Sequence, residues 1–368
     1  MAGNFAHQLW DCRRRLRNGS TVDRLRRMDS AEAMSLPKVV LHDHLDGGLR
    51  PATVLDLAAE RGRPVPANTP EGLADWFLEA ADSGSLARYL DTFTETVALM
   101  QDADSLRRIA REFVEDMTAD GVVYAETRWA PQQHLEGGLT AAEATEAVQA
   151  GLLEGMTSAS ESGKTIIARQ ILCLMRHLDV PEDVVDLAVN HAPGVVGVDI
   201  AGPEDGFPLA PLTDALKRVQ AAGIHLTVHA GEAAGPESVR DALDHGAERL
   251  GHGVRIVEDR DASGWGPTAQ RVLSQRVPLE VCPSSNTQTG ICRRIADHPL
   301  SMLWPAGFNL TLSCDNRLMS RTTTSRELSL ASRVLSWNRD DALSVQRSAL
   351  QAAFCTSADK KSLTPLLV

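Results

Sequence analysis

The stretch LHDHLDG at residues 41–47 ends a short apolar run and carries two histidines two residues apart. On a β-strand, residues i and i+2 face the same side, so His42 and His44 point one way and the leucines point the other. A lone inward histidine is more often a hydrogen-bonded core residue. Two of them at a strand end, followed by Asp-Gly-Gly, indicate metal binding instead.

Three more clusters of metal-binding or proton-handling residues each end a β-like run. They are His229 and Glu232 in VHAGE, His252 in LGHG, and Asp315 in LSCDN. Taken singly, these have ordinary structural explanations, because Glu232 would suit a helix N-terminus and Asp315 an Asx turn. Their shared position after an apolar strand makes the set far more specific than any one member.

The sequence therefore predicts a catalytic zinc site with four ligands: His42, His44, His229 and Asp315. Glu232 and His252 are then free for the proton transfers that such a zinc needs. Two-metal barrel hydrolases usually bridge their ions with a carboxylated lysine at a strand end, and none of the five lysines ends a predicted strand. One zinc ion per chain is expected.

Eight β-like runs alternate with amphipathic helical stretches. The runs are KVVLHDH (38–44), VVYAETRW (122–129), IIARQILCLM (166–175), VVGVDIA (195–201), HLTVHA (225–230), RLGHG (249–253), PLEVCP (278–283) and NLTLSC (309–314). Such alternation implies parallel strands with right-handed crossovers. The polar clusters follow runs one, five, six and eight, which converge at one mouth in a closed barrel but spread apart in an open doubly wound sheet. The barrel is favoured, and HAGEAAG lacks the G-x-G-x-x-G spacing of a dinucleotide fingerprint.

About 75 residues separate the first two runs, far more than one crossover helix needs. Within them, GLADWFLEAADSGSLARYLDTFTETVALM (72–100) has apolar residues at helical spacing. These helices could simply add packing, but an insertion after strand 1 emerges at the catalytic face, which favours a lid. The predicted fold is an α/β (β/α)8 TIM barrel with extra helices inserted after strand 1.

The length and charge of the chain predict its domain organisation and limit its partners. The 368 residues are predicted to form an N-terminal basic extension (1–36) and a single (β/α)8 metallo-dependent hydrolase domain (37–368). The net charge is −12, and residues 1–30 carry seven Arg and three Asp. An acidic body argues against nucleic acid as a partner.

The expected cellular compartment follows from two features that the sequence lacks. No apolar run approaches a membrane span, and the N-terminus has no signal-peptide core, so a cytoplasmic protein without a membrane partner is expected. The six cysteines form no C-x-x-C pair, which fits a reducing compartment.

The motifs HDHLDG, VVGVDIAG, HAGE, RLGHG, LEVCPSSN and CDNRLMS together resemble the adenosine deaminase family of zinc amidohydrolases, most closely its bacterial members. The likeness runs from about residue 36 to about residue 335. It implies the same four zinc ligands and makes Glu232, His252 and Asp315 catalytic. Glu232 would protonate purine N1, while His252 would orient or deprotonate the attacking water.

The resemblance also implies a set of substrate contacts: His44, Asp46, Gly202 and Asn316. Asp46 would hold a ribose hydroxyl, the backbone of Gly202 would donate to N3, and Asn316 would face N7 where many relatives have Asp. Ser313-Cys314 stands where Asn-Thr is more usual, and Trp129 where most relatives have a smaller aromatic residue.

The expected function is zinc-dependent hydrolysis of adenosine or 2′-deoxyadenosine, a small-molecule purine nucleoside, to inosine or 2′-deoxyinosine and ammonia. One alternative is deamination of a modified 6-aminopurine nucleoside, such as aminodeoxyfutalosine or a nucleoside antibiotic. A non-catalytic nucleoside-binding barrel is another, and the intact ligands, Glu232 and His252 weigh against it.

Overall fold

The core of the protein is a parallel β-sheet rolled into a barrel. The computed structural model describes residues 28–179 and 184–368 of the chain. Each barrel strand pairs in parallel with the next one along the sequence. The strands are β1 (Lys38–His44), β2 (Val122–Trp129), β3 (Ile167–Met175), β4 (Val195–Ala201), β5 (His225–Ala230), β6 (Arg249–His252), β7 (Pro278–Val281) and β8 (Asn309–Leu312). The eight predicted runs and the barrel fold are confirmed, with strand ends that agree within two residues.

Helices lie between the strands and at the C-terminus. The α-helices are α1 (Ser30–Ser35), α2 (Pro51–Glu60), α3 (Pro70–Ala81), α4 (Leu86–Asp91), α5 (Phe93–Val97), α6 (Ala103–Ala119), α7 (Ala141–Glu161), α8 (Val184–Asn190), α9 (Thr213–Ala221), α10 (Pro236–Asp244), α11 (Pro267–Gln275), α12 (Pro283–Gln288), α13 (Leu300–Ala306), α14 (Thr324–Leu335), α15 (Arg339–Ala352) and α16 (Ser357–Leu363). Helices α2 to α5 are the insertion predicted after strand 1.

Helix α6 shows how these helices are fixed to the barrel. Its apolar residues recur at the spacing of one helix face, and Leu106, Ile109, Phe113 and Met117 are all buried. The side chain of Asp102 caps its N-terminus by accepting from the backbone N–H of residue 105. Burying each large apolar side chain contributes about 1.5–3 kcal/mol, so the stripe alone anchors the helix.

The barrel closes between β8 and β1, and the closing contacts lie at the predicted site. The backbone N–H of His44 donates to the carbonyl of Asp315 at 2.8 Å, and that of Asp315 donates to the carbonyl of His42 at 3.1 Å. Asp315 has a φ of 63° and His252 a φ of 61°, both in the left-handed region. Non-glycine residues are uncommon there and collect at functional sites.

Only part of the predicted basic extension is described. Residues 1–27, which carry all seven of its arginines, lie outside the described residues. Residues 28–36 include α1, which packs against α14, and the backbone N–H of Met28 donates to the carbonyl of Trp337 at 3.0 Å. Among the described helices, none combines the length and hydropathy that a membrane crossing requires.

Candidate active site

The ends of β1, β5 and β8 bring the predicted zinc ligands together. His42 Nε2 lies 3.2 Å and His44 Nε2 lies 3.4 Å from Asp315 Oδ1. The Nε2 atoms of His44 and His229 are 3.3 Å apart. Such convergence of imidazole nitrogens on a carboxylate oxygen, in a buried place, is the arrangement that a divalent cation needs.

A fifth side chain, His252, shares this cluster. Ligand atoms of His42, His229, His252 and Asp315 all lie within 4.8 Å of one another. Distances alone therefore allow either His44 or His252 as the third imidazole ligand. The predicted set, with His44, stays a prediction, and the proton positions on the rings bear on the choice.

Acidic residues inside the barrel fix the proton positions of two histidines. His42 Nδ1 lies 2.9 Å from Glu280 Oε2, and His229 Nδ1 lies 3.0 Å from Asp199 Oδ2. A carboxylate only accepts, so each ring donates from Nδ1 and leaves the Nε2 lone pair free for a metal. Ser285 Oγ donates to Asp315 Oδ2 at 2.6 Å and holds the carboxylate in place.

These supporting acids stay ionised because a buried arginine joins them. Arg128 pairs with Asp199 at 2.9 Å and with Glu280 at 2.7 Å, and all three side chains are fully buried. Burial alone would raise the pKa of Glu280, but the charges of Arg128 and Arg249 outweigh it and hold that pKa below its usual value. Sequence analysis missed these residues, although charged residues inside apolar strands are a signal that could have found them.

The pKa of Glu232 is shifted in the opposite direction to that of Glu280. Burial raises the pKa of its carboxyl well above the usual value, and the negative charges of Asp315 and Glu204 raise it further. Glu232 Oε1 has no hydrogen-bond partner among the described residues. A raised pKa favours the protonated form of this carboxyl, which suits it to give a proton to a bound molecule.

Glu204, which sequence analysis also missed, builds the turn that carries Glu232. Its carboxylate accepts from the backbone N–H groups of residues 231–234, at 2.6 to 3.0 Å. Four donors on one carboxylate satisfy a turn whose amides would otherwise be unpaired. The acid in VDIAGPE, three residues after the strand motif, was the available signal.

The metal cluster lies at the base of a cavity of about 330 Å³, large enough for a nucleoside-sized ligand. All four predicted substrate-binding residues line it: His44, Asp46, Gly202 and Asn316. Asp46 Oδ1 and Asn316 Oδ1 are buried and have no hydrogen-bond partner among the described residues. Buried polar atoms of this kind are costly unless a ligand or water pairs with them.

Helices of the insertion cover the mouth, as the lid hypothesis expected. Leu86, Leu90 and Phe93 line the cavity, and the Phe93 ring lies 6.1 Å from that of His44. Trp76 and Phe77 instead pack on each other away from it, with Phe77 fully buried. The covering role thus belongs to α4 and α5, and α3 serves packing.

Of the three unusual residues near the site, Ser313, Cys314 and Trp129, only Trp129 is among the described residues that line the cavity. Trp129 lines it and donates from Nε1 to Gln170 Oε1 at 3.0 Å, which fixes the indole plane. Cys314 is buried beside Thr324, outside the lining residues that the structure describes. Trp129 is therefore the one placed to shape a substrate contact.

Comparisons with known proteins agree with this geometry. The chain matches the model of the family described as adenosine deaminase over residues 37–367. It is 46% identical to an adenosine deaminase of Mycobacteroides abscessus over 335 residues, which cover 89% of this chain and 92% of the relative. The family match runs past residue 335, where the sequence resemblance was expected to end, and so includes the C-terminal helices.

Solved structures with lower sequence identity have a similar fold over most of their length. An amidohydrolase from Burkholderia ambifaria with bound zinc superposes with a TM-score of 0.80 at 25% identity, covering 92% of this chain and 91% of that chain. The Arabidopsis ADAL protein complexed with IMP superposes with a TM-score of 0.79 at 28% identity, covering 91% and 97%. Both share the barrel and its length.

Proposed function

Because the chain belongs to the adenosine deaminase family, we propose that it hydrolyses adenosine and 2′-deoxyadenosine to inosine and 2′-deoxyinosine, releasing ammonia. It is a hydrolase that acts on C–N bonds. The observation that carries the proposal is Glu232, a buried carboxyl whose pKa is raised well above its usual value and which lies beside the histidine and aspartate cluster. A carboxyl with a raised pKa in this position can deliver a proton to a purine ring nitrogen.

The donor set fits one zinc ion, bound by His42, His44, His229 and Asp315. Three imidazoles and a carboxylate are zinc ligands, and two of the rings present an unprotonated Nε2 because their Nδ1–H groups donate hydrogen bonds to Glu280 and Asp199. When bound, zinc lowers the pKa of water towards about 7 and so supplies a nucleophile. The zinc-bound relative from Burkholderia ambifaria supports this choice of metal.

The protein's own residues then account for the rest of the reaction. Glu232 gives its proton to N1 of the purine, which makes C6 more electrophilic as water adds there. The Asp315 carboxylate would take the proton that the water gives up and return it to the amino group, which leaves as ammonia. The new hydroxyl on C6 then gives its proton back to Glu232 as the carbonyl forms. His252 Nε2 lies 3.4 Å from Glu232 Oε2, close enough for both side chains to act at one end of the base. Asn316 offers its amide to N7, and Gly202, whose φ of 90° suits glycine, lets the backbone approach N3.

The 5′ end of the substrate is proposed to be a free hydroxyl and not a phosphate. Asp46, which is buried, would accept a hydrogen bond from a ribose hydroxyl and would repel a phosphate. No lysine or arginine lines the cavity in the part of the chain that the structure describes. The Arabidopsis relative was complexed with IMP, so the nucleotide must be tested directly.

The test compares four substrates of the zinc-loaded protein: adenosine, 2′-deoxyadenosine, adenine and AMP. Loss of absorbance near the adenine maximum reports deamination. We expect the two nucleosides to be preferred over adenine and over AMP. Equal turnover of AMP and adenosine would contradict the proposal that Asp46 selects a free hydroxyl over a phosphate. No turnover of any of them, with zinc present, would point to a modified nucleoside instead.

Substitution of Asp46 sharpens the test. Asp46→Ala should lower kcat/KM for adenosine about tenfold to 100-fold, as expected for losing a hydrogen bond to a charged group, and should change adenine turnover little. Asp46→Asn keeps the shape and part of the hydrogen bonding, and so serves as the matched control. A similar loss on adenine would show that Asp46 supports the site and not the ribose.

A further inference from the structure

The His252 ring is held from behind by a chain of hydrogen bonds whose first donor is a backbone group. The backbone N–H of Leu300 donates to His298 Nδ1 at 3.1 Å. A backbone amide can only donate, so Nδ1 of this ring carries no proton. Burial lowers the pKa of His298 to about 3, which keeps the ring neutral, and its single proton is therefore on Nε2.

The second link is Asn286, whose orientation the first link decides. His298 Nε2 lies 3.2 Å from Asn286 Oδ1, and since that nitrogen carries the proton it donates to the amide oxygen. The amide nitrogen consequently faces His252, where Asn286 Nδ2 lies 3.0 Å from His252 Nδ1. All three side chains are buried, so the structure shows no room for bulk water to replace these partners.

The third link is His252 itself. Its Nδ1 accepts from Asn286, so the proton of the neutral ring must lie on Nε2. That nitrogen is 3.4 Å from Glu232 Oε2, and the ring lies against His42 and His229, with centroids 4.7 and 5.4 Å away. The Nε2–H bond therefore points towards Glu232 and the histidine cluster, where the substrate is proposed to react.

We propose that Asn286 and His298 are positioning residues that fix His252 in its Nε2-protonated form, so that His252 donates a hydrogen bond to the oxygen attacking C6. In this form the ring cannot take the proton of the attacking water, because its Nε2 lone pair is already occupied. It also cannot bind a metal through Nε2, which leaves His44 as the third imidazole ligand. The role at C6 rests on the proposed deamination, whereas the proton position does not.

The proton position can be read without substrate. In the zinc-loaded protein labelled with ¹⁵N-histidine, long-range ¹H–¹⁵N spectra distinguish the two neutral forms of each ring, and a His252→Asn spectrum identifies the His252 signals. We expect the Nε2-protonated form. Detection of the Nδ1-protonated form in the wild type would overturn the proposal.

Asn286→Asp reverses the last link with almost no change of shape. A carboxylate only accepts, so it would draw a proton onto His252 Nδ1 and free Nε2. We expect the spectrum to change to the Nδ1-protonated form. Gln288→Glu adds the same charge to the same helix, where Gln288 bonds Met319 and Ser320 and not His252. That control should keep the wild-type form, and an unchanged spectrum in Asn286→Asp would refute the proposal.

Kinetics test whether the chain serves the reaction. Loss of a hydrogen bond to a developing negative oxygen typically costs about 10²–10³-fold in kcat, and we expect a fall of this size for Asn286→Asp with adenosine. His298→Leu removes the remote donor and should lower kcat about tenfold with little change in KM, whereas His298→Gln keeps a donor near the Nε2 position and should restore most of it. Equal loss in both His298 variants would mean that the ring only fills space.

The spectra and the kinetics separate two possible failures. If adenosine is not deaminated but Asn286→Asp still changes the His252 form, the proposed function is wrong and the hydrogen-bond chain stands. If adenosine is deaminated by a protein whose His252 carries its proton on Nδ1, the chain is wrong and the function stands. If Asn286→Asp turned over adenosine at the full rate while its His252 carried the proton on Nδ1, the hydrogen-bond chain would have no role in catalysis.

Discussion

At the scale of single residues, the site depends on two carboxyl groups in opposite states. Burial would raise the pKa of Asp315, but its contacts with His42, His252 and His44 outweigh burial and lower that pKa well below the usual value. Glu232, with no cation beside it among the described residues, keeps its proton. One carboxyl is thus suited to hold a metal and the other to donate a proton, a division set by their surroundings.

Glu232→Gln should therefore abolish most activity and leave the metal in place. The amide has nearly the same shape but cannot transfer a proton, and proton transfer of this kind contributes about 10²–10⁴-fold. We expect kcat for adenosine to fall by that factor while the zinc content stays the same. Glu237→Gln, an exposed glutamate five residues further on, is the matched control and should behave as wild type. Near-native turnover by Glu232→Gln would require another proton donor for N1.

At the scale of elements, residues from neighbouring loops position each other. The loop after β4 supplies Glu204, whose carboxylate holds the turn after β5 and adds negative charge beside Glu232. Gly47 follows β1 and lies so close to the loop after β8 that a Cβ there would come within 1.8 Å of Asn316 Oδ1. Glu232 and Asn316 are thus positioned by loops that follow strands other than their own.

Glu204→Ala should damage the site more than Glu204→Gln. Alanine leaves the backbone N–H groups of residues 231–234 without their acceptor, and each buried unpaired group costs about 1–3 kcal/mol. Glutamine still offers one oxygen but removes the charge that helps to keep Glu232 protonated. We expect kcat to fall in both variants, and thermal unfolding to show a marked loss of stability only in Glu204→Ala. Equal stability of the two would mean that the backbone amides find other partners.

Sequence alone predicted the strands and the four clusters well because both depend on local pattern. A buried parallel strand requires a run of apolar residues, and the site residues of this barrel come directly after such runs. The boundaries of β1, β2, β4 and β5 agree with the predicted ones. The metal cluster is likewise assembled from strand ends whose order in the barrel follows their order in the chain.

The rest of the site could not be predicted because it depends on contacts between distant segments. Glu280 is 238 residues from His42, and Asn286 is 34 residues from His252. Nothing near these residues in the sequence indicates which histidine nitrogen they contact. The choice between a lid and packing helices also needed the structure, because α3 and α4 have similar apolar patterns but only α4 reaches the cavity.

At the scale of the whole molecule, the site is also the closure of the barrel. β1 and β8 meet through His42, His44 and Asp315, which exchange backbone hydrogen bonds and also present side chains to the cluster. β5 contributes His229 to the same point. A metal bound there would tie the first, fifth and eighth strands together, so metal binding and barrel stability should be linked.

Removing the metal should therefore lower the melting temperature. A ligand at 100 times its Kd stabilises the folded state by about 2.7 kcal/mol, which for a chain of this size corresponds to a shift of about 3.5 °C. We expect a chelator to lower Tm by at least that amount and one equivalent of zinc to restore it. Two equivalents surviving dialysis against a weak chelator would contradict a single-metal site.

Two variants show whether the effect comes from the strand closure. Asp315→Asn keeps the shape of the ligand but loses its charge, so its Tm should respond weakly to chelator and zinc. His225→Asn changes a half-exposed histidine at the opposite end of β5, which stacks on Phe354 and lies outside the cluster. This control should keep the full response to chelator. If chelation empties the wild-type site and Tm stays constant, the metal serves the reaction alone, and the backbone bonds between β1 and β8 are sufficient to close the barrel.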